Sequence, residues 1–117
     1  MTQLPGTTPL VVVTNCPSED VADRIATHLV EQRLAACVNR LAPVSSIYRW
    51  QGAVERAREW PLLIKTTTAR YAAVEAAISA LHPYSVPEVI ALPLYAGLPV
   101  YLQWVADETR DTDHQRA

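Results

Sequence analysis

The sequence predicts an α+β protein in which two helices cover one face of a four-stranded antiparallel sheet, in the order β-α-β-β-α-β with one more helix at the end. Two segments repeat apolar residues every three or four positions, which is the helical period. Others alternate polar and apolar residues, which is the period of a strand. With 117 residues, 50% of them hydrophobic, the chain is long enough to form one domain with its own core.

The first strand and the first helix are predicted to follow each other closely. Leu10–Thr14 is a β-branched run that is typical of a buried strand. Pro17 stands where a helix accepts proline, at its first position. Val21, Ile25 and Leu29 then recur every four residues, which predicts an amphipathic helix of about four turns.

The middle of the chain predicts two long strands joined by a turn near Gly52. Alternating patterns cover residues 36–50 and 54–64. Pro43 and Pro61 have no N–H group to donate to a neighbouring strand. We therefore expect each proline at a sheet edge, a strand start or a bulge.

The second helix has the clearest helical pattern. Thr67 or Thr68 can cap its start. Its apolar stripe consists of residues three or four positions apart, namely Tyr71, Val74, Ile78 and Leu81. The dipeptide His82-Pro83 ends the helix, because the residue before a proline avoids helical backbone angles.

The last part of the chain predicts one strand, one short helix and a polar tail. Glu88–Leu92 is an almost wholly apolar strand that stops at Pro93. Pro99 opens a helix that carries further apolar and aromatic residues. We expect an ordered core over about residues 10–106 and a loose tail at 107–117.

The order of these elements is that of a ferredoxin-like sandwich. The two helices can cover only one face of its sheet. Apolar residues occur at both parities of the long central strands, and the fourth strand has almost no polar member. An apolar patch of this kind marks an interface, so the sequence predicts self-association.

Four short motifs resemble those of the CutA family, the divalent-cation tolerance proteins. They are SIYRWQG at Ser46–Gly52, HPYSVPE at His82–Glu88, LAACVN at Leu34–Asn39 and LIKTT at Leu63–Thr67. The resemblance runs from about Val11 to about Val105. It implies a homotrimer whose sheets face inward, similar to the PII signalling proteins. It also implies weak binding of copper or another divalent cation, no organic cofactor and no enzymatic activity.

His82 is the principal candidate for a metal ligand. Imidazole suits copper, zinc and nickel, and the resemblance implies a copper contact for the histidine at this position. The alternative is a helix-terminal histidine that interacts with the last carbonyls of the helix. The chain departs from the family pattern, because Leu81 stands where some members carry a second histidine. Ser85 likewise replaces an acidic or amide residue.

Cys16 is the second metal candidate. It precedes Pro17, at or near the predicted N-cap of the first helix, where the helix dipole can lower the pKa of a thiol and favour the copper-binding thiolate. The alternative, which the sequence favours, is a small residue partly buried at a strand end. The resemblance does not carry a metal role to Cys16, because the metal-linked cysteine of the family matches Thr14. Cys37 is interpreted as a core residue.

Lys65 is a candidate for a cleft that binds an anion. It interrupts an apolar strand, where a charge is costly unless it is paired or lies at the mouth of a crevice. Its expected partners are Glu55, Glu59 and Glu88.

Aromatic and acidic residues of the two long motifs are the other candidates. Tyr84, Glu88 and Trp50 are further candidates for ligand contacts in a cleft, and Tyr48 and Trp50 are candidates for a subunit interface. These residues support a second hypothesis, a PII-like regulator or scaffold whose inter-subunit clefts hold a small anion or a partner protein.

Composition and missing motifs exclude several other functions. The 12 acidic and 10 basic residues nearly cancel, so no broad positive field is available for nucleic acid. The apolar runs are shorter than the roughly 20 residues of a membrane-spanning helix. The first residues do not resemble a signal peptide, and we expect a cytoplasmic protein. The sequence shows no phosphate-binding loop, metal-binding cysteine pair or nucleophile motif.

Overall fold

The structure is a computed structural model that describes residues 5–111. Within this range the chain forms five strands and three helices. They are, in chain order, β1 (Pro9–Cys16), α1 (Glu19–Glu31), β2 (Cys37–Arg40), β3 (Val44–Trp50), β4 (Ala53–Thr67), α2 (Thr68–Leu81), β5 (Ile90–Pro93) and α3 (Pro99–Glu108).

All strand pairs are antiparallel, and β4 lies at their centre. The strand order is β2-β4-β1-β5, and β3 pairs with the first half of β4. Strand β1 pairs with β4 from Pro9 opposite Thr67 to Cys16 opposite Trp60, and with β5 on its other side. This arrangement confirms the predicted α+β, ferredoxin-like sandwich with an additional C-terminal helix.

The second predicted strand is divided in two, which the sequence did not show. Strand β2 ends at Arg40, and the N–H of Leu41 donates to the carbonyl of Pro61 at 2.9 Å before the chain leaves the sheet. Pro43 then precedes β3. Pro61 lies where the neighbour of β4 changes from β3 to β2, so its missing N–H leaves no strand unpaired.

The core lies between the sheet and the helices α1 and α2. Fully buried side chains from every layer form it, namely Val12, Cys16, Ala22, Ile25, Leu29, Leu62, Ile64, Val74 and Ile78. Helix α1 begins at Glu19 rather than at the predicted Pro17, because Ser18 is the N-cap. The Ser18 hydroxyl accepts the N–H of Val21 at 3.2 Å. Thr67, one of the two predicted candidates, is the N-cap residue of α2, but its side chain makes no capping hydrogen bond.

The opposite face of the sheet is apolar and only partly covered. Val11 and Val13 of β1 lie opposite Leu92 and Ile90 of β5, and both β5 side chains are exposed in the single chain. Helix α3 packs against β1 and β4. It extends to Glu108, so residues 107 and 108 belong to a helix and not to the expected loose tail at 107–117, of which 112–117 lie outside the described residues. None of the helices within residues 5–111 is long and apolar enough to cross a membrane.

The hairpin of β3 and β4 extends beyond both helices and gives the molecule a longest dimension of 52 Å. Its turn is at Gln51 and Gly52, as predicted, with φ values of 49° and 82°. Positive φ at both turn positions matches the right-handed twist of the flanking strands. Large apolar residues of the hairpin are exposed, including Val54 at 63%.

The burial of α1 predicts that substitutions of two neighbouring residues change the stability of the protein by very different amounts. Leu29 is 0% exposed and Val30 is 43% exposed. We expect Leu29→Ala to lower the free energy of unfolding by about 2–5 kcal/mol, because it leaves a cavity in the core. Val30→Ala should change it by about 0.5 kcal/mol or less. Denaturant unfolding at matched protein concentration measures both, and equal losses would contradict this description of the core.

Candidate functional site

A cavity of about 610 Å³ lies between the β3–β4 hairpin and the loop that joins α2 to β5. We call it the hairpin cavity. Its lining combines aromatic, acidic and small polar residues, namely Asn15, Ser46, Ile47, Tyr48, Trp50, Glu59, Tyr84, Ser85, Val86 and Glu88. Four residues singled out from the sequence, Tyr48, Trp50, Tyr84 and Glu88, thus lie around one space.

Strand alternation and two prolines place these side chains. Tyr48 and Trp50 are two positions apart on β3 and therefore share a face of the hairpin. Glu59 of β4 pairs with Val44 and so belongs to the same face. In the α2–β5 loop, Pro83 and Pro87 restrict the backbone on either side of the segment that carries Tyr84.

The carboxyl groups of the hairpin cavity are held by neutral donors. Glu59 is only 7% exposed, and its Oε2 accepts the hydroxyl of Tyr84 at 3.2 Å. Oε1 of Glu88 accepts the side-chain amide of Asn15 at 3.0 Å. Within residues 5–111 neither carboxylate forms an ion pair, and no lysine, arginine or histidine lines the cavity. The cavity is therefore a negatively charged site.

Burial and the charge of Glu59 both disfavour ionisation of the Tyr84 phenol. Burial, followed by the charge of Glu59, raises the pKa of Tyr84 to about 12. The hydrogen bond to Glu59 and smaller contributions from Tyr48 and Cys16 act in the same direction. Tyr84 therefore acts as a hydrogen-bond donor to Glu59 throughout the physiological pH range.

His82 is buried, at 6% exposed, and both of its ring nitrogens have partners. Nδ1 accepts the backbone N–H of Tyr84 at 3.2 Å, which requires Nδ1 to be unprotonated. Nε2 then carries the proton and donates to the carbonyl oxygen of Asn15 at 2.7 Å. The ring also packs against that of Tyr84, with centroids 4.6 Å apart.

These contacts assign His82 a positioning role that the sequence did not suggest. The side chain ties the start of the α2–β5 loop to the end of β1. A metal ion at either nitrogen would first have to break one of these hydrogen bonds. The alternative interpretation, in which the His82 side chain bonds the last carbonyls of α2, is wrong. The bond to the carbonyl of Ile78 comes from the backbone N–H of His82, and the side chain bonds Asn15 and Tyr84 instead.

Cys16 does not occupy the N-cap position from which a lowered thiol pKa was inferred. It is the last residue of β1, it is fully buried, and Ser18 is the cap. Burial, followed by the charge of Glu59, raises the pKa of Cys16 to about 11. The residue is thus a protonated core thiol, and Cys37 is only partly buried.

Lys65 is not part of the hairpin cavity. It lies opposite Cys37 of β2, and its ammonium group donates to the side-chain oxygen of Asn39. The expected pairing with a glutamate is wrong. Glu59 and Glu88 have the partners described above, and Glu55 lies opposite Tyr48 in the hairpin.

Sequence reasoning missed Asn15 and the cavity role of Glu59. Asn15 is the penultimate residue of β1, and its backbone and side chain bond His82 and Glu88, which are far away in sequence. A glutamate next to Trp60 in a predicted strand was the available signal for Glu59. No group of three or more His, Cys, Asp and Glu residues among those described could hold a metal ion.

Comparison with known proteins identifies one family. The sequence model of the CutA1 divalent ion tolerance protein matches residues 10–108. The divalent-cation tolerance protein CutA of Thermus thermophilus is 50% identical over 99 residues, which are 85% of this chain and 96% of that protein. Protein CutA of Mus musculus is 43% identical over 95% of this chain, which spans only 62% of the mouse protein.

Solved structures show the same fold. The structure of the divalent cation tolerance protein Cut A1 from Thermus thermophilus has a TM-score of 0.86 at 49% identity, covering 87% of this chain and 99% of that one. CutA from Xylella fastidiosa has a TM-score of 0.86 at 42% identity, covering 88% of this chain and 99% of that one. Identities of this size over nearly the whole described chain establish relatedness as well as fold.

The raised pKa of Cys16 predicts a loss of stability in alkali. Unfolding exposes a thiol that ionises near 9, whereas the folded thiol ionises near 11. The stabilisation is complete below pH 9 and is lost as the pH rises through 11, because unfolding then releases a proton. Cys16→Ala should flatten the fall in the free energy of unfolding across this window. Cys37→Ala is the control, and it should keep the parent slope in pH-dependent denaturant unfolding.

Proposed function

Because the chain belongs to the CutA1 divalent ion tolerance family, we propose that it acts in divalent-cation tolerance as a cytoplasmic homotrimer that binds copper or another divalent cation weakly. We assign it no catalytic activity and no organic cofactor. Its proposed partners are its own copies and metal ions, and they include neither nucleic acid nor a membrane. The hairpin cavity, with two carboxylates and no basic side chain, is the observation that carries the proposal for cations.

Self-association is supported by apolar residues that the single chain leaves in water. They lie on the hairpin, the α2–β5 loop, β5, the N-cap of α3 and α3 itself, and include Ile47, Val54, Val86, Ile90, Leu92, Leu98 and Val100. A patch of this kind on a folded domain marks an interface. A closed ring of three copies would use two different surfaces of each chain, and the two sides of the projecting hairpin provide such surfaces. Tyr48 and Trp50 remain the proposed interface anchors.

We place the weakly bound cation at Glu59 and Glu88. Carboxylate oxygens need no deprotonation near neutral pH and can bind a divalent ion directly. The imidazole of His82 would first have to give up a hydrogen bond, and the thiol of Cys16 would have to lose its proton. A site with only two protein ligands binds an ion weakly. Weak binding is suited to sensing or buffering an ion and not to holding a structural metal.

The alternative function, a PII-like regulator or scaffold, has two forms: one binds a partner protein and the other binds a small anion. A partner protein is supported by the same exposed apolar residues. A small anion has no support from the hairpin cavity, because its described lining is acidic and Lys65 lies elsewhere.

The proposed assembly predicts a mass of three times 12.9 kDa in solution. Light scattering coupled to gel filtration measures it at micromolar and nanomolar concentrations. Trp50→Ala should shift the protein towards smaller species on dilution, because it removes a large apolar contact. A parent protein that stays monomeric and folded would contradict the assembly.

The proposed ion site predicts which substitutions weaken binding. Calorimetric titration with copper and with manganese should show weak binding by the parent and at least about tenfold weaker binding by Glu59→Gln and Glu88→Gln.

His82→Ala separates this site from the metal site that the sequence suggested. A ligand role for His82 predicts that copper binding is lost in this variant. That outcome would show that the ion binds His82 and not the carboxylates. Glu55→Gln is the matched control, because Glu55 is on the same strand but does not line the cavity.

A further inference from the structure

We propose that the hairpin cavity binds a small organic cation, a substituted ammonium whose charge lies against Glu59 and Glu88 and whose hydrocarbon part packs on Tyr48, Trp50 and Tyr84. This inference goes beyond weak metal binding. It concerns a ligand that uses the whole cavity, and it does not depend on where a metal ion binds.

The first argument is the uncompensated charge of Glu59. Its side chain is about nine-tenths buried, yet within residues 5–111 its hydrogen bond comes from a neutral phenol and it has no ion-pair partner. A buried carboxylate is costly unless a cation accompanies it. The hydroxyl of Tyr84 orients the carboxylate without cancelling its charge. A ligand that brings a positive charge into the cavity would supply the missing partner.

The second argument is the aromatic and apolar part of the lining. The rings of Tyr48, Trp50 and Tyr84 surround the space, and Ile47 and Val86 complete its apolar wall. A hydrated metal ion gains little from such surfaces. An alkylammonium group gains binding energy from the aromatic and from the apolar residues, because its charge is attracted to ring faces and its carbon atoms bury apolar area.

The third argument is the size of the cavity. A volume of about 610 Å³ greatly exceeds that of a metal ion and lies within the range of sites for small organic molecules. Its remaining polar groups, the hydroxyls of Ser46 and Ser85 and the amide of Asn15, can fix the orientation of a polar substituent. Size, charge and apolar surface therefore favour the same class of ligand.

The test uses the assembled full-length chain after treatment with a chelator, so that metal ions do not compete. Choline is the cationic probe, and 3,3-dimethylbutan-1-ol is its neutral analogue of the same shape. Calorimetry and tryptophan fluorescence should show saturable choline binding. The neutral analogue should bind at least about tenfold more weakly. Equal binding of the two probes, or no saturation by choline up to about 10 mM, would overturn the proposal.

Substitutions identify the groups responsible. Glu59→Gln should weaken choline binding at least about tenfold, and Glu55→Gln should leave it unchanged. Trp50→Leu should weaken it severalfold, whereas Trp50→Phe, which keeps a ring, should retain most of it. Light scattering on each variant shows whether the assembly is intact, and Tyr84→Leu, which is not at a proposed interface anchor, replaces Trp50→Leu if the latter dissociates. Choline binding that survives Glu59→Gln would contradict the assigned site.

The same samples separate this inference from metal binding. A protein that binds manganese but not choline keeps the proposed ion site and loses the organic ligand. A protein that binds choline but no divalent ion supports the organic ligand and contradicts the proposed ion site. A cavity filled by a side chain of a neighbouring copy in the trimer would give no choline binding, and the proposal would then be wrong.

Discussion

The pairing of β4 with three other strands is the constraint on which the structure depends. Its second half, from Trp60 to Thr67, pairs with β1 and in part with β2, and its first half pairs with β3 beyond the helices. The strand is continuous across both parts, so the projecting hairpin is held rigidly by the packed core. Ile64 and Leu62 fix one end in that core. Residues at the other end can therefore form a site without a helix behind them.

The hairpin cavity exists because the α2–β5 loop is tied to the same strands. The imidazole of His82 bonds the carbonyl of Asn15, the amide of Asn15 bonds Glu88, and the phenol of Tyr84 bonds Glu59. These bonds join the loop to β1 and β4 on one side of the cavity. His82, which the sequence suggested as a metal ligand, therefore holds the α2–β5 loop in place. Its neutral form is required, since a protonated Nδ1 could not accept the N–H of Tyr84.

The sequence predicted the fold well because periodicity and turn residues are local signals. The β-branched run in β1, the stripe of α2 and the turn at Gly52 each needed only neighbouring residues. The site was harder to predict, because its contacts join residues far apart in the chain. Asn15 lies 67 positions from His82 and 73 from Glu88. The partner of Lys65 likewise depended on the register of β2 against β4, which composition does not determine.

The character of the site follows from the kind of donor that holds each carboxylate. An arginine or lysine beside Glu59 or Glu88 would have satisfied the oxygens and cancelled the charge together. The neutral amide of Asn15 and the phenol of Tyr84 fix the oxygens and leave the charge in place. Glu59 is buried, which increases the effect of its charge because solvent screens it less, whereas Glu88 is exposed. A cavity built in this way repels anions and attracts cations of many kinds, and its aromatic walls then decide which cation gains most.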